Sequence, residues 1–438
     1  MWNNEIEQTM DAVTCPCCGL SCDDLKIELR SGRLQSMRNG CDLARVFYDT
    51  AFHHAGQDPM IDGRAATLEE ALDYGTELLR QARSPLFAGL ATDVNGMRGI
   101  LALADRCGAT LDHLNGDAMF RNLRVVQDNG WFTTTFTEVR NRADLIVLVG
   151  NQCIDRFPRL VERVLHPVES LFVETNERRV VLLGPWQQDD IPKELAQLKP
   201  KVIATDIESL SDIVGLVRGL IAGRPVDPNR LGNDLGNSLT DLAEQLKTAK
   251  YSVISWSAAE LAMAHAELVV QSLVDLVKAL NAKTRSAALP LAGTQADITA
   301  NQVCTWQLGY PLRTRLQRGY PEHDPSLCRW QDMLTRGESD LLLWVSSFSP
   351  RSLPPPTKTP TIVLGHAGMA FEQQPSLYIP VGVPGIDHRG HWYRSDGVCS
   401  LPLGKLRDIG LPPVSLIVNK LNQRLLPLAG APESAPAC

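Results

Sequence analysis

Residues 143–150 read ADLIVLVG, an uninterrupted apolar run that ends at a glycine. A run of this kind is typical of a central parallel strand, because helices cover both of its faces. The same texture returns in later segments, at 180–184, 202–204, 251–256, 341–345 and 361–365. Helix-like periodicities lie between these runs, at 207–221, 239–249 and 258–280. The alternation predicts an α/β fold with mostly parallel sheets.

The composition of the 438 residues is that of a globular protein with two or three domains. Hydrophobic residues make up 44% of the chain, which is enough apolar material for a sizeable core. The formal net charge of -7 predicts no nucleic-acid partner and no anionic membrane partner. The first ten residues are polar and acidic, unlike a secretory signal, and no apolar run approaches the roughly 20 residues of a membrane span. We therefore expect a cytoplasmic protein.

Cysteines are concentrated at the start of the chain, where five of the 11 lie within the first 41 residues. Cys15, Cys18 and Cys22 form a C-x2-C-x3-C segment, and Cys41 completes a set of four. Clustered thiols in a cytosolic protein are more typical of metal ligands than of disulfides. Four thiolates suit a [4Fe–4S] cluster or a tetrahedral zinc ion, and the spacing does not choose between them. Cys17 adds a competing sulfur, and idle thiols stay the alternative.

The sequence contains one clear helix-start pattern and lacks two common nucleotide-binding motifs. The segment 67–70 (TLEE) predicts a capping box at the start of a helix. Neither a G-x-G-x-x-G motif nor a P-loop occurs, so the sequence does not support a simple Rossmann enzyme or an NTPase.

Several longer segments stand out beside the head motif, which reads TCPCCGLSCDDL at 14–25 and NGC at 39–41. They are TFTEVRNRAD, QVCTWQLGYP, RGYP, GID and YRSDGV, at 135–144, 302–311, 318–321, 385–387 and 393–398. In this order, across nearly the whole chain, they resemble the B subunit of formylmethanofuran dehydrogenase, which belongs to the molybdopterin oxidoreductases. In that family the head motif holds a [4Fe–4S] cluster.

The resemblance implies a small cysteine-rich head at 1–49 and two α/β domains that hold a large pterin cofactor between them. One domain is discontinuous, at 50–128 and 330–426, and the other is inserted, at 129–329. The tail at 427–438 is rich in Ala and Pro and is predicted to be flexible.

One family motif is altered in this chain. The family reads D-x5-C-H-G-P followed by Q-D-x-G, where the cysteine binds tungsten or molybdenum and the histidine assists the chemistry beside it. With Asp112 and the segment 127–130 as anchors, those two positions fall on Ala118 and Met119, and bulky residues follow at 120–121. A methyl group cannot coordinate a metal, and a thioether has no proton to give. We therefore expect no catalytic residue here, and no tungsten, molybdenum or molybdopterin.

The segments that hold the pterin in the family are altered as well. Residues 150–153 (GNQC) replace a turn that holds the nucleotide end of the cofactor, and 293–297 (GTQAD) replace a contact loop rich in glycine and asparagine. Cys153 is a poor candidate for a substitute metal ligand, since it lies at the nucleotide end. Arg159 keeps one family residue but is expected to be exposed, and His113 is expected to be an ordinary loop or core histidine.

This altered pattern resembles the B subunit of the bacterial formyltransferase/hydrolase complex of methylotrophs. The resemblance implies a non-catalytic subunit that scaffolds an amidohydrolase-type A subunit, a C subunit and a formyltransferase D subunit. The complex would pass a formyl group from formyl-tetrahydromethanopterin to a methanofuran-type carrier and release it as formate. Two alternatives stay open. One is an active tungsten or molybdenum formylmethanofuran dehydrogenase, against which Ala118 argues, and the other is a free-standing metal-binding module.

Overall fold

The computed structural model describes residues 7–227, 230 and 232–426, without the side chains of Glu7 and Gln188. The tail predicted to be flexible, at 427–438, lies outside the described residues. Within the described part of the chain, no helix is long and apolar enough to cross a membrane.

The head is a three-stranded antiparallel sheet followed by a helix. Its strands are β1 (Glu7–Val13), β2 (Leu25–Arg30) and β3 (Arg33–Arg38), and its helix is α1 (Asp42–His53). Alternate residues of β2 point inward, because successive side chains of a strand face opposite sides. These inward side chains belong to the same apolar cluster as residues of the inserted domain, so the head shares its core with the rest of the chain.

The strands that follow the head are, in chain order, β4 (Met60–Ile61), β5 (Arg64–Ala65), β6 (Pro85–Ala91), β7 (Thr110–Leu111), β8 (Leu145–Val149), β9 (Arg179–Gly184), β10 (Lys201–Ala204), β11 (Tyr251–Trp256), β12 (Arg285–Pro290), β13 (Thr314–Arg315), β14 (Glu322–His323), β15 (Leu341–Ser346), β16 (Thr361–His366), β17 (Leu377–Val381), β18 (Gly390–Tyr393) and β19 (Ser400–Leu403). The last two form a separate antiparallel hairpin.

The helices that follow α1 are α2 (Leu68–Gln81), α3 (Val94–Cys107), α4 (Gly116–Asn129), α5 (Phe136–Arg142), α6 (Cys153–Arg156), α7 (Lys193–Ala196), α8 (Leu210–Ile221), α9 (Asn233–Thr248), α10 (Ala266–Leu280), α11 (Asp297–Leu308), α12 (Trp330–Thr335) and α13 (Val414–Arg424). A π-helical turn spans Val161–Leu165, and short 3-10 turns span Thr175–Glu177 and Gln188–Asp190. The predicted capping box is present at α2, where Thr67 and Glu70 bond each other's backbone N–H groups.

The inserted domain contains a five-stranded sheet in the order β10-β9-β8-β11-β12, in which every neighbouring pair is parallel. Its central strand β8 is buried along its whole length, as its apolar sequence predicts. Helices α8, α9 and α10 supply apolar side chains to the core on one face of the sheet. The predicted α/β fold with mostly parallel sheets is confirmed.

The second sheet has nine strands in the order β14-β13-β7-β6-β15-β16-β17-β4-β5. Its central run from β7 to β17 is parallel, and short antiparallel strands extend both edges. Strand β13 pairs with β7, so residues 314–323 belong to this large sheet although they precede the predicted boundary at 329. The domain boundaries themselves stay a prediction.

The C-terminal part of the chain also holds the head helix. The Arg407 side chain donates to the carbonyl of Ala51 at 2.8 Å and to the carboxylate of Asp387 at 2.7 Å. Both charged side chains are almost fully buried. The carbonyl of Ala51 also accepts a longer bond, at 3.4 Å, from the N–H of His54, so the guanidinium is its second and closer donor at the end of α1.

A second buried arginine ties the inserted domain together. The side chain of Arg178 donates to the carbonyls of Ala143 at 2.7 Å, Arg140 at 2.8 Å, Val164 at 3.1 Å and Leu165 at 2.5 Å. These carbonyls lie at the end of α5 and in the π-helical turn, where the helical backbone leaves acceptors free. Burial lowers the pKa of Arg178 to about 10.

We expect Arg178→Met to lower the free energy of unfolding by about 2–4 kcal/mol, because four buried carbonyls lose their donor. The neighbouring Arg179 is the control, since its side chain is 39% exposed and forms a single ion pair with Asp144 at 3.4 Å. Arg179→Met should cost less than about 1 kcal/mol. Urea unfolding followed by circular dichroism measures both losses, and equal losses would contradict the role given to Arg178.

Candidate functional site

A cleft lies between α4 and the carboxyl ends of β11 and β12. In the inserted sheet the chain builds outward from β8 to β10 and then returns to the other side of β8 at β11. In open parallel sheets, ligands bind outside the carboxyl ends of the strands where the order reverses in this way. Here that position lies between residues 150–152, which follow β8, and residues 257–260, which follow β11.

A carboxylate of the chain itself occupies this position. The N–H of Asn151 donates to Glu260 Oε1 at 2.5 Å, and the N–H of Gln152 donates to Glu260 Oε2 at 3.2 Å. Glu260 is 6% exposed. Burial raises the pKa of its carboxyl, and the two backbone donors oppose that rise. The glycine at 150 has φ +88°, a left-handed conformation that favours glycine, and a Cβ there would lie 2.3 Å from Glu260 Oε2 unless the glutamate shifted.

The large sheet has its own reversal point, between β6 and β15. Side chains of the protein bond the backbone there as well. Asp93 follows β6 and accepts hydrogen bonds from the N–H groups of Gly96 at 3.0 Å and Asn95 at 3.4 Å, in the first turn of α3. Ser347 follows β15 and donates to the carbonyl of Ala91 through both its N–H and its hydroxyl, each at 2.9 Å. Side chains of the chain therefore bond backbone groups at both reversal points, although the buried hydroxyl of Ser346, at the end of β15, has no hydrogen-bond partner.

Helix α4 carries the two altered family positions. Ala118 and Met119 lie in its first turn and line the cleft. The neighbouring Asp117 accepts two bonds from Arg329 at 2.8 Å and one from Arg313 at 2.6 Å. The bonds from Arg329, then those from Arg313, lower the pKa of Asp117 to about 2 against partial burial. These ion pairs fix the first turn of α4.

Behind this turn lies a fully buried ion pair. The guanidinium of Arg313 bonds both carboxylate oxygens of Asp112 at 3.3 Å, and the two side chains are 3% and 0% exposed. Burial raises the pKa of Asp112 to about 6, which the charge of Arg313 opposes. Asp112 is the anchor residue of the altered motif, and here it positions α4.

Direct hydrogen bonds join the α4 region to the inserted domain across the cleft. Arg121 donates to the carbonyl of Ala258 at 2.6 Å, and the indole of Trp256 donates to Asn122 at 3.0 Å. Farther along, the amide of Asn115 donates to the carbonyl of Thr294 at 3.1 Å, and other side chains contact the same loop. These bonds leave little room between the two halves of the chain.

The space that remains is a cavity of about 310 Å³ lined by α4 and by the loops at 257–259 and 289–297. A cavity of that volume is at the small end of pockets that bury one drug-sized molecule. The pterin cofactor of the resembled family is much larger, and it would have to displace the Arg121 and Asn115 bonds. The residues of the cleft therefore do not fit that cofactor.

Two residues weighed as substitutes lie in ordinary core positions. His113 is fully buried, its Nε2 lies 3.0 Å from the carbonyl of Gln295, and its Nδ1 accepts from the N–H of Asn115 at 2.9 Å. Burial lowers its pKa to about 4, so the ring is neutral. Cys153 is 1% exposed, and burial raises its pKa to about 12. Neither side chain is prepared for metal binding or proton transfer.

The predicted metal ligands of the head are close neighbours. Cys15, Cys18 and Cys22 lie in the loop between β1 and β2, and Cys41 is the N-cap residue of α1. Burial and the nearby thiols of the other three raise the pKa of Cys18, and burial raises that of Cys22 to about 12. A hydrogen bond with Cys17 is the largest cause of the raised pKa of Cys15. Across the part of the chain that the structure describes, however, no group of three or more His, Cys, Asp or Glu is arranged to hold a metal ion.

Two arginines of the inserted domain contact the head beside this loop. Arg159 bonds both carboxylate oxygens of Asp24, at 2.6 and 2.8 Å, and Arg163 pairs with Asp23 at 2.7 Å and with Asp24 at 2.9 Å. The expectation that Arg159 is exposed is wrong, since its side chain is only 14% exposed. The i, i+4 spacing of the two arginines, opposite an Asp-Asp pair next to Cys22, was a usable signal for this contact.

No family model matches the chain. It is 25% identical to the B subunit of the tungsten-containing formylmethanofuran dehydrogenase 2 of Methanocaldococcus jannaschii, over 93% of this chain and 95% of that protein. It is 29% identical to the B subunit of the formyltransferase/hydrolase complex Fhc of Methylorubrum extorquens, over 74% of this chain and 85% of that protein.

Two solved structures are similar. One is a chain of the formyltransferase/hydrolase complex FhcABCD from Methylorubrum extorquens, crystallised with methylofuran, with a TM-score of 0.71, 27% identity and coverage of 84% of this chain and 98% of that one. The other is acetylene hydratase from Pelobacter acetylenicus, with a TM-score of 0.65 and 10% identity over 95% of this chain and 69% of that one. At that identity, the second likeness concerns the fold alone.

The ion pairs of Asp117 give a pH-dependent prediction. Because its folded-state pKa lies below the ordinary aspartate value, Asp117 contributes stability above about pH 4, and this contribution is lost as the pH falls toward about 2. Asp117→Asn should therefore lower the urea midpoint at about pH 7 and show a smaller deficit at about pH 3. Asp332→Asn, which removes only a single pair with Arg329, is the control. A deficit of equal size at both pH values would contradict the prediction.

Proposed function

The chain belongs to the family of formylmethanofuran dehydrogenase B subunits, and from this premise we propose that it is a non-catalytic subunit that scaffolds a formyltransferase/hydrolase complex. The observation that carries the proposal is the closed cleft. Ala118 and Met119 stand where the family has a metal-binding cysteine and a histidine. The hydrogen bonds of Arg121 and Asn115 then join the two domains directly.

The partners follow from the relatives. The Methylorubrum extorquens structure is a complex of four kinds of subunit with methylofuran. We propose that this chain likewise assembles with an A subunit of the amidohydrolase type, a C subunit and a formyltransferase D subunit. The assembly would transfer a formyl group from formyl-tetrahydromethanopterin to a methanofuran-type carrier and hydrolyse the product to formate. The cytoplasm is the compartment we propose, because the chain carries clustered cysteines that a reducing compartment keeps as thiols.

The surface of the inserted domain supports a scaffold role. The loop that follows the π-helical turn exposes Val168 at 99%, Leu171 at 75% and Phe172 at 61%. Neighbouring exposed apolar side chains of this kind commonly mark protein–protein contacts. A protein–protein interface would remove them from water.

The alternative, an active tungsten or molybdenum dehydrogenase, makes a different prediction for cofactor content. We expect the intact complex to contain neither metal and no pterin, and to show no viologen-linked oxidation of a formylated carrier. The double variant Ala118→Cys/Met119→His should stay inactive, because the bonds across the cleft still exclude the cofactor. Elemental analysis and the viologen assay measure this, with an active tungsten-containing relative as the positive control. Near-stoichiometric tungsten or molybdenum would overturn the proposal.

For the head, we propose that Cys15, Cys18, Cys22 and Cys41 bind one structural centre, a [4Fe–4S] cluster by family resemblance or zinc as the alternative. The thiols of Cys15, Cys22 and Cys41 lie close enough to that of Cys18 to raise its pKa, and binding one metal centre would require them to converge further. The cationic Arg159 beside Cys22 favours a negatively charged centre. A structural metal contributes on the order of 10 kcal/mol to the folding of such a segment.

Cys22→Ser should therefore lower the yield of assembled complex several-fold and remove the bound iron or zinc. Cys107→Ser, at a half-buried thiol outside the head, should change neither quantity. Metal analysis and size-exclusion chromatography of the co-expressed subunits measure both. If the wild-type complex contains neither metal, or if Cys22→Ser assembles normally, the head proposal is wrong.

A further inference from the structure

We infer that the turn at residues 150–152 is an oxyanion-binding turn whose resident anion is the carboxylate of Glu260. The turn lies at the reversal point of the inserted sheet, where folds of this kind receive phosphate groups. The chain thus supplies from within the negative charge that a phosphate would supply from outside. The inference deepens the proposed loss of the cofactor, since it names what replaced one anionic end of that ligand.

The geometry of the turn favours an anion. Two consecutive N–H groups, of Asn151 and Gln152, converge on one carboxylate. Such successive donors in a turn form an anion-binding concavity. The positive charge of Arg156 favours the ionised form of Glu260 as well, although Asp155 opposes it. Arg156 is itself held by two bonds to the side chain of Gln152, both at 3.1 Å.

The backbone around the turn has no room for a larger side chain, but it does have access to solvent. A Cβ on Gly184 would lie 3.0 Å from the backbone of Gly150, so the ends of β8 and β9 approach closely. Gln152 is exposed, whereas Glu260 is buried. Truncating the glutamate would therefore open a small anion-sized space that solutes can reach from the side of Gln152.

The test is anion rescue of the full-length chain carrying Glu260→Ala, followed by thermal unfolding. Leaving two buried N–H groups without an acceptor should lower Tm by roughly 5 °C. Inorganic phosphate or acetate should recover at least half of that loss, and chloride at equal ionic strength should not. Phosphate should raise the Tm of the wild-type protein only by its general stabilising effect as an excluded salt.

Two control variants distinguish binding of the anion at the emptied site from a general stabilising effect of the salt. Val214→Ala removes buried apolar atoms from the core of the same domain and lowers Tm without opening an anion site. Glu260→Gln keeps the shape of the side chain, so it should lose stability without opening space for a rescuing anion. The inference is wrong if phosphate raises the Tm of Glu260→Ala by no more than it raises the Tm of Val214→Ala.

If Glu260→Ala does not accumulate as soluble protein, the comparison rests on Glu260→Gln. Its amide brings N–H donors toward backbone N–H groups, so its Tm should fall clearly below the wild-type value. A Tm equal to that of the wild type would overturn the inference. Failure here is distinguishable from failure of the proposed function, because tungsten, molybdenum and pterin are measured separately and the rescue concerns this turn alone.

Discussion

The constraint on which the structure depends is the need to give hydrogen-bond partners to the backbone N–H groups at the reversal points of its two sheets. A buried donor or acceptor left without a partner costs about 1–3 kcal/mol, so an open cleft without a ligand is expensive. In this chain the side chains themselves provide the partners. Glu260 and Asp93 take up backbone N–H groups at the two reversal points, and Arg121 bridges the space between the domains.

The closed cleft changes how the stability of the protein depends on its surroundings. A protein that binds a cofactor gains stability from the ligand by mass action and loses it when the ligand is scarce. Here the corresponding contacts are intramolecular, and the buried pair of Asp112 and Arg313 sets the position of α4. In the proposed scaffold role this independence is an advantage, because the shape of the subunit would not vary with the supply of a cofactor.

The sequence predicted the sheets of this protein better than it predicted their connections. The continuous apolar runs that form β8, β11 and β16 were recognisable because a strand buried on both faces leaves a local signal. The head strands β2 and β3 were not predicted, although the alternation of apolar and charged residues in β2 (LKIELR) is itself a strand signal. Their burial comes from packing against the inserted domain, which no local window contains.

Some residues of the candidate site could likewise be located from the sequence, and others could not. Ala118 and Met119 could be located because two anchor segments fix the frame without a gap. Glu260 could not, because its partner Asn151 lies 109 positions earlier and a single glutamate in a helical texture carries no signal. The environment of Arg159 was misjudged although the spacing of Arg159 and Arg163 was a usable signal, because only the fold brings Asp24, 135 positions away, beside it.

The contact between Arg407 and the end of α1 has a consequence for the order in which the parts of the protein fold. The two residues that it joins, Arg407 and Ala51, are 356 positions apart. The head is synthesised before both of its arginine partners, since Asp24 precedes Arg159 by 135 positions and Ala51 precedes Arg407 by 356 positions. Contacts of such long range form slowly. The head therefore cannot complete these contacts until the two distant segments that carry the arginines have been synthesised.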